Sequence, residues 1–365
     1  MAAGGMKADP AAKPTPPDAV AQSLAASGDV RSDDAVLAQA HGCFAEGALS
    51  DGIRVLVERA ASLAGRQLFV RALPIFDLAR ASLTARIDAN KLAATVSNTH
   101  AKLKSECRAF AKSVAENSPE DGKNVFVYAD SLGLPRPEEA AHGDGGIGLT
   151  YAAKIQARSG ECGARVPLRV EAECQRYFTT DDVTRRLTEM RGSLRSGFIL
   201  VHVGLNDCAS RIFSEAERLA VGFLDPAVQK LLLDFARNQR RPIIHRNPEY
   251  SYVPLERFTE NLEKIVKISR SHGAQHVTFV NIVQPGLKSE THTPHLRWNF
   301  TRYNLSIYDV AKRLSAHVID ADRLCWSAGL DRALNADGIH LSAAGHDIVA
   351  DRYLELIAPA LLSKP

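Results

Sequence analysis

The spacing of apolar and polar positions changes near residue 120. Before it the period is helical. Val36, Leu37, Ala40 and Phe44 share one helical face, and Ile53, Leu56, Val57, Ala60 and Leu63 share another, as recurrence at i, i+3 and i+4 requires. A turn cluster at 47–52 separates them, with Asp51 as the expected N-cap, and Gly65 closes the second helix. Further helices are predicted over 71–90 and 91–116, with Pro74 near a start or a kink. From Lys123 onward short apolar runs alternate with amphipathic stretches. Strands are predicted at 124–128, 166–172, 198–203, 276–283 and 316–319, and helices at 180–191, 255–271, 301–314 and 343–362. Strand and helix in alternation predict an α/β region with a parallel sheet covered on both faces. The expected organisation is therefore a leader at 1–32, a helical region at 33–117 and an α/β domain at 123–362.

Composition narrows the class. A chain of 365 residues suggests about two domains. Its hydrophobic content of 45% and charged content of 24% suit a globular core. With 45 basic and 42 acidic residues and no sustained basic run, a dedicated nucleic-acid binder is excluded. Residues 1–32 are rich in Ala, Pro, Gly and Ser without periodic apolar positions, which reads as a disordered leader without the apolar core of a signal peptide. No run reaches the roughly eighteen apolar residues of a membrane span. A cytoplasmic protein is expected, with its six scattered cysteines as free thiols.

In antiparallel helix pairing alone, residues 33–117 are similar to tetratricopeptide-type repeats. The small and aromatic positions do not fit a full period of about 34 residues. A plain helical bundle or cap stays open beside that reading. Either form could serve association, so a protein partner through 33–117 is an expectation.

Three short stretches carry the chemistry: Tyr128-Ala129-Asp130-Ser131-Leu132-Gly133, Val203-Gly204-Leu205-Asn206-Asp207 and Asp337-Gly338-Ile339-His340-Leu341-Ser342. Together they offer a nucleophile, an oxyanion donor, a base and a carboxylate to orient the base, the parts that acyl transfer through serine needs. Ser131 and Asn206 fall just past predicted strand ends, where parallel sheets gather functional residues. Asp337 and His340, three apart on one turn, can project to the same side.

The motifs Asp130-Ser131-Leu132, Gly204-x-Asn206-Asp207 and Asp337-x-x-His340-Leu341-Ser342 resemble the blocks of the SGNH/GDSL hydrolase family over about 123–362. The resemblance implies a three-layer α/β/α, flavodoxin-like fold. It also implies Ser131 as nucleophile, His340 as base, Asp337 as its orienter and Asn206 as oxyanion donor, with no cofactor and no metal. Two departures stand out. Ala129 occupies the place of the family's first glycine. The second block, Cys174-Gln175-Arg176-Tyr177-Phe178-Thr179-Thr180-Asp181, lacks its glycine altogether. Any residue but proline has an N–H to lend, so the hole is expected to use Ser131 and a residue between Arg176 and Phe178, with Tyr177 and Phe178 lining the substrate. Arg136 could bind an anionic substrate or make an ion pair, and the same choice holds for Arg176 and Arg211. His292 and His295 read as a polar loop, His202 and Cys208 as core, and His346 as packing or capping the last helix.

The resulting expectation is a serine esterase acting on a small-molecule or carbohydrate ester, an acetyl ester first. An O-acyltransferase shares the same acyl-enzyme and stays open. A scaffold that uses the helical region is the reading of a different class.

Overall fold

A computed structural model of the chain describes residues 32–116, 122–139, 144–159, 167–190 and 197–362. The leader expected at 1–32 lies outside the described residues except for Ser32, as do Val166 and Arg191 at the ends of an expected strand and helix. The chain forms two compact units. The first extends to Leu92 and takes in Ala216–Gln239; the second holds Ala93–Glu215 and Arg240–Pro365.

In the first unit, helices Asp33–Ala45, Leu49–Gly65 and Phe69–Arg86 follow one another, and Pro226–Asn238 joins them from far along the chain. The face read at Ile53, Leu56, Val57, Ala60 and Leu63 is buried. Pro226–Asn238 adds Leu232 and Phe235 to the buried set, and the Phe235 ring lies 4.8 Å from that of Phe76. Asp33 ties three helices together by accepting from Arg59 Nε and Arg71 Nε, each at 2.8 Å. Asp51 is not the N-cap. The Leu49–Gly65 helix starts earlier, with Ala48 at the cap, and Asp51 sits in its first turn, where a carboxylate still meets the positive end of the dipole. Gly65 does end that helix, but Gln67 makes the reversal at φ 59°. The N–H groups of Gln67 and Leu68 return to the carbonyls of Ala64 and Leu63, the Schellman pattern that satisfies orphan carbonyls. Pro74 lies inside Phe69–Arg86, not at its start. The next helix, Ala89–Ala115, begins where Asp88 Oδ1 accepts the Lys91 N–H at 2.9 Å.

The second unit is built on five parallel strands: β1 Lys123–Ala129, β2 Leu168–Cys174, β3 Phe198–His202, β4 His276–Val280 and β5 His317–Ile319. Their order is β2-β1-β3-β4-β5, the flavodoxin-like arrangement whose switch point falls between β1 and β3. Side chains alternate along each strand. Val125, Val127 and Ala129 of β1 join one core with Tyr151, Ile155, Val349 and Tyr353. Phe126 and Tyr128 join the other with Val183, Leu262, Ile265 and Ile307. Helices Tyr151–Arg158 and Ala343–Leu362 thus cover one face and Thr180–Glu189, Leu255–Ser271 and Leu296–Arg313 the other. This is the three-layer α/β/α fold.

Several bounds differ from the sequence expectation. Strand β2 runs on to Cys174, because Tyr128 and Ala129 of β1 pair with Glu173 and Cys174. Strand β4 stops at Val280 although the apolar run continues. Asn304 takes both backbone groups of Ile282, accepting its N–H at 2.8 Å and donating to its carbonyl at 2.7 Å, so the ladder has no group left there. Leu296–Arg313 begins five residues before its expected start at 301, and Leu205–Cys208, Glu215–Ala220, Pro226–Asn238 and Arg240–Arg246 fill a stretch left unassigned. Among the described residues no helix is long and apolar enough to cross a membrane.

Strand β3 is buried along its whole length and lies in the middle of the sheet. Leu200→Ala should therefore lower unfolding stability by about 2–5 kcal/mol, the cost of an uncollapsed cavity. Both tryptophans, Trp298 and Trp326, belong to the second unit, so their emission during denaturation reads that transition. A loss under about 1 kcal/mol would show that the strand is packed less tightly than its burial indicates.

Candidate active site

Parallel pairing brings the ends of β1 and β3 side by side, Ala129 opposite His202. The Asp130 N–H then donates to the His202 carbonyl at 3.2 Å. Past this bond the two strands release their loops. Asp130 Oδ1 accepts the Leu132 N–H at 2.8 Å, and the 3₁₀ turn Ser131–Gly133 follows. Asp130 is buried, and burial pushes its carboxyl up to about 7 against the opposing pull of the Leu132 N–H. No role for this carboxylate followed from the sequence; it shapes the turn that carries Ser131.

The turn sits tightly on its floor. A Cβ on Gly133 would lie 2.5 Å from the Ala129 methyl and 2.8 Å from the Tyr151 hydroxyl. The absent side chain at 133 leaves room for the methyl at 129. The first departure from the family pattern is thus accommodated two residues past the nucleophile position.

Ser131, His340 and Asp337 form one hydrogen-bonded line. Ser131 Oγ is 2.9 Å from His340 Nε2, and His340 Nδ1 is 2.7 Å from Asp337 Oδ2. The second carboxylate oxygen, Oδ1, accepts the N–H groups of Ile339 at 2.9 Å and His340 at 3.0 Å. Burial alone would raise the Asp337 carboxyl, but these bonds outweigh it and hold it well below the usual carboxylate range. An ionised Asp337 fixes the tautomer: Nδ1 carries the proton and Nε2 presents a lone pair to the serine. Gly338 takes a φ of 68° between these residues and packs on Gly286, whose N–H donates to the Gly338 carbonyl at 2.7 Å. The loop after β4 thereby fixes the height of the Asp337–His340 turn.

Asn206 follows β3 in the short helix Leu205–Cys208. Arg211 Nη2 donates to Asn206 Oδ1 at 2.9 Å. A guanidinium cannot accept, so this bond decides which way the amide faces. Nδ2 points the other way and donates to the Phe178 carbonyl at 3.3 Å, leaving its second N–H for another acceptor. Arg211 itself lies over the Tyr252 ring at 4.4 Å. Sequence left Arg211 between anion binding and ion pairing; it holds Asn206 instead. Asp207 holds the neighbouring layer: its Oδ1 accepts the Thr180 N–H at 2.9 Å and the Thr180 hydroxyl at 2.6 Å.

The other expected residues divide. Arg136 Nη2 lies 3.4 Å from Asp337 Oδ2, an ion pair with the carboxylate that orients His340. Phe178 does not line the site. Its side chain is 1% exposed and belongs to the core of the second face, and its N–H donates to the Gln175 carbonyl at 3.3 Å. Both its ring and its amide are committed elsewhere. Tyr177, one residue earlier, is 40% exposed. His292 and His295 do not act together, since His295 Nε2 faces His245 Nδ1 at 2.9 Å. Among the described residues no three His, Cys, Asp or Glu side chains are grouped to hold a metal.

Beneath the turn lies a polar layer. The Tyr151 ring is 5.6 Å from His202 and 5.4 Å from His346. His346 Nδ1 accepts the Tyr151 N–H at 3.2 Å. Its Nε2, both ring nitrogens of His202 and the Tyr151 hydroxyl have no partner among the described residues. Burial pushes both imidazoles down to about 3, with Lys154 lowering His346 further, so both are neutral near pH 7.

The sequence profile of the GDSL-like lipase/acylhydrolase family matches residues 140–348. That is more than half of the chain, and the protein belongs to this family. The matched stretch contains Asn206, Asp337 and His340 and begins after Ser131. No curated protein sequence matches the chain. Among solved structures it is similar to the lipase/acylhydrolase from Enterococcus faecalis, with a TM-score of 0.45 and 16% identity over 67% of this chain and 99% of that one. It is also similar to a catalytic mutant of Axe2, an acetylxylan esterase from Geobacillus stearothermophilus, with a TM-score of 0.44 and 17% identity over 68% of this chain and 100% of that one. TesA gives a TM-score of 0.41 and 16% identity over 66% of this chain and 100% of that one.

The neutral imidazoles fix the sign of an acid effect. Unfolded histidines take up protons below about pH 6.5, while His202 and His346 resist until about 3. Stability is full above the unfolded value and falls as pH drops between the two, by roughly 1 kcal/mol per pH unit for each histidine. In the same interval Asp130 and Asp207, both raised to about 7, take up protons and act in the opposite sense, so the histidine contribution is read as a difference: the melting temperature of wild type relative to His202→Phe should fall as pH drops from 7 to 4.5. Parallel curves for wild type and variant would remove His202 as the source.

Proposed function

We propose that the protein is a serine esterase that cleaves a small ester through an acyl-enzyme at Ser131. The observation that carries this reading is the line from Ser131 Oγ to His340 to an ionised Asp337 at the carboxyl ends of the sheet. Ser131 Oγ attacks the ester carbonyl carbon while His340 Nε2 takes its proton. The carbonyl π electrons move to oxygen, and the tetrahedral oxyanion forms. The free N–H of Asn206 Nδ2 and the Ser131 backbone N–H are the donors for that charge. Collapse expels the alcohol, which receives the proton from His340, and leaves Ser131 acylated. Water then repeats the sequence, with His340 as base, and releases the acid.

Asp337 carries its charge throughout, stabilises the imidazolium and keeps Nε2 aimed at the serine. Arg136 beside the same carboxylate oxygen lowers the field that His340 feels. No step needs a metal or an organic cofactor. Of the esters open to the family, we put a short acyl ester of a carbohydrate first. An acceptor hydroxyl in place of water would turn the same acyl-enzyme into an O-acyltransferase.

Hydrolysis of p-nitrophenyl acetate tests the chemistry. Ser131→Ala should cost about 10⁴–10⁶ in kcat, and Asn206→Ala about 10²–10³. A fluorophosphonate should label the wild type and not Ser131→Ala. A protein that neither turns over the ester nor takes the label is not an esterase at Ser131, and the scaffold reading would replace this one.

A further inference from the structure

The missing glycine of the second block has a replacement with consequences for substrate choice. Residues Gln175 to Phe178 form a tight turn, closed by the Phe178 N–H on the Gln175 carbonyl at 3.3 Å. Its third residue, Tyr177, has a φ of 62°. Turns with that sign at the third position favour glycine, because a Cβ there meets the backbone. The chain instead holds one of its bulkier side chains in that conformation and leaves it 40% exposed. A disfavoured conformation beside an active site, held from both sides, is a reason to look for function.

The turn is held from both sides of the site. At its start the Gln175 N–H donates to the Ala129 carbonyl at 3.0 Å, two residues before Ser131. At its end the Phe178 carbonyl accepts from Asn206 Nδ2. The turn that carries Tyr177 is therefore tied both to the end of the strand that leads to Ser131 and to the oxyanion donor Asn206. The bulk at position 177 thus takes up room beside the oxyanion donor that a glycine would leave open.

We propose that Tyr177 is the wall that limits the acyl group, and that it restricts the enzyme to short chains such as acetyl. This inference rests on the esterase reading above and adds to it the class of acyl donor. Replacing Tyr177 by glycine removes the ring and suits the turn, since glycine adopts positive φ without penalty. Asparagine also tolerates it and keeps a side chain of modest size.

The test is kcat/KM of the full chain on p-nitrophenyl acetate, butyrate and octanoate, for wild type, Tyr177→Gly and Tyr177→Asn. Wild type should fall steeply from acetate to octanoate. In both variants the octanoate-to-acetate ratio should rise about tenfold or more, as gaining room for extra methylenes allows. An unchanged ratio in variants that still hydrolyse acetate overturns the wall and leaves the esterase standing. A wild type that prefers octanoate does the same. Loss of all turnover in both variants, with far-UV spectra intact, overturns it in favour of a part for Tyr177 in the chemistry. A wild type inert on all three esters removes the esterase reading and the acyl wall together.

Discussion

The bond from the Asp130 N–H to the His202 carbonyl is the last rung between β1 and β3, and the arrangement above it depends on that rung. A parallel sheet sends neighbouring strands out at the same edge, so two loops far apart in sequence start from adjacent points. One carries Ser131 and the other Asn206. A one-residue slip in register would turn every side chain of β1 to the opposite face. Val125 and Val127 would then face helices shaped for Phe126 and Tyr128. The cores on both faces thus set the spacing of the chemistry above them.

Around that rung the candidate residues are held by groups that do not themselves react. Arg211 turns the amide of Asn206, Asp130 shapes the serine turn, and Gly286 supports the turn of Asp337 and His340. Each supports one candidate side chain from behind. In the proposed reaction such support would keep donors and acceptors aimed before substrate arrives. The buried layer of Tyr151, His202 and His346 lies below the same turn. It is an unusual floor, polar and neutral.

Much of this was legible in the sequence because it is local. Strand alternation, the three motifs and the Asp337–His340 spacing depend on residues close together along the chain. What escaped depends on partners distant in sequence. The end of β4 is decided by Asn304, and the end of β2 by its pairing with β1. Phe178 reads as a candidate from its neighbours, yet the core claims its ring and Gln175 its amide. The part played by Arg211 could not be read from a lone arginine five residues beyond Asn206; only the folded loop brings the two together. Ala129 shows the converse. It looked like a departure at one position, and Gly133 accommodates it four residues later.

The helix Pro226–Asn238 belongs to the first unit although its residues come after β3. This imposes an order on synthesis. The helices between Asp33 and Arg86 leave the ribosome early, but the segment that completes their core follows only after three strands of the sheet have been made. Until then Phe76 lacks the ring of Phe235 against it. The first unit therefore cannot finish folding as it emerges, and the nascent chain must carry an incomplete helical core until Gln239 has been made, with β4 and β5 still to come.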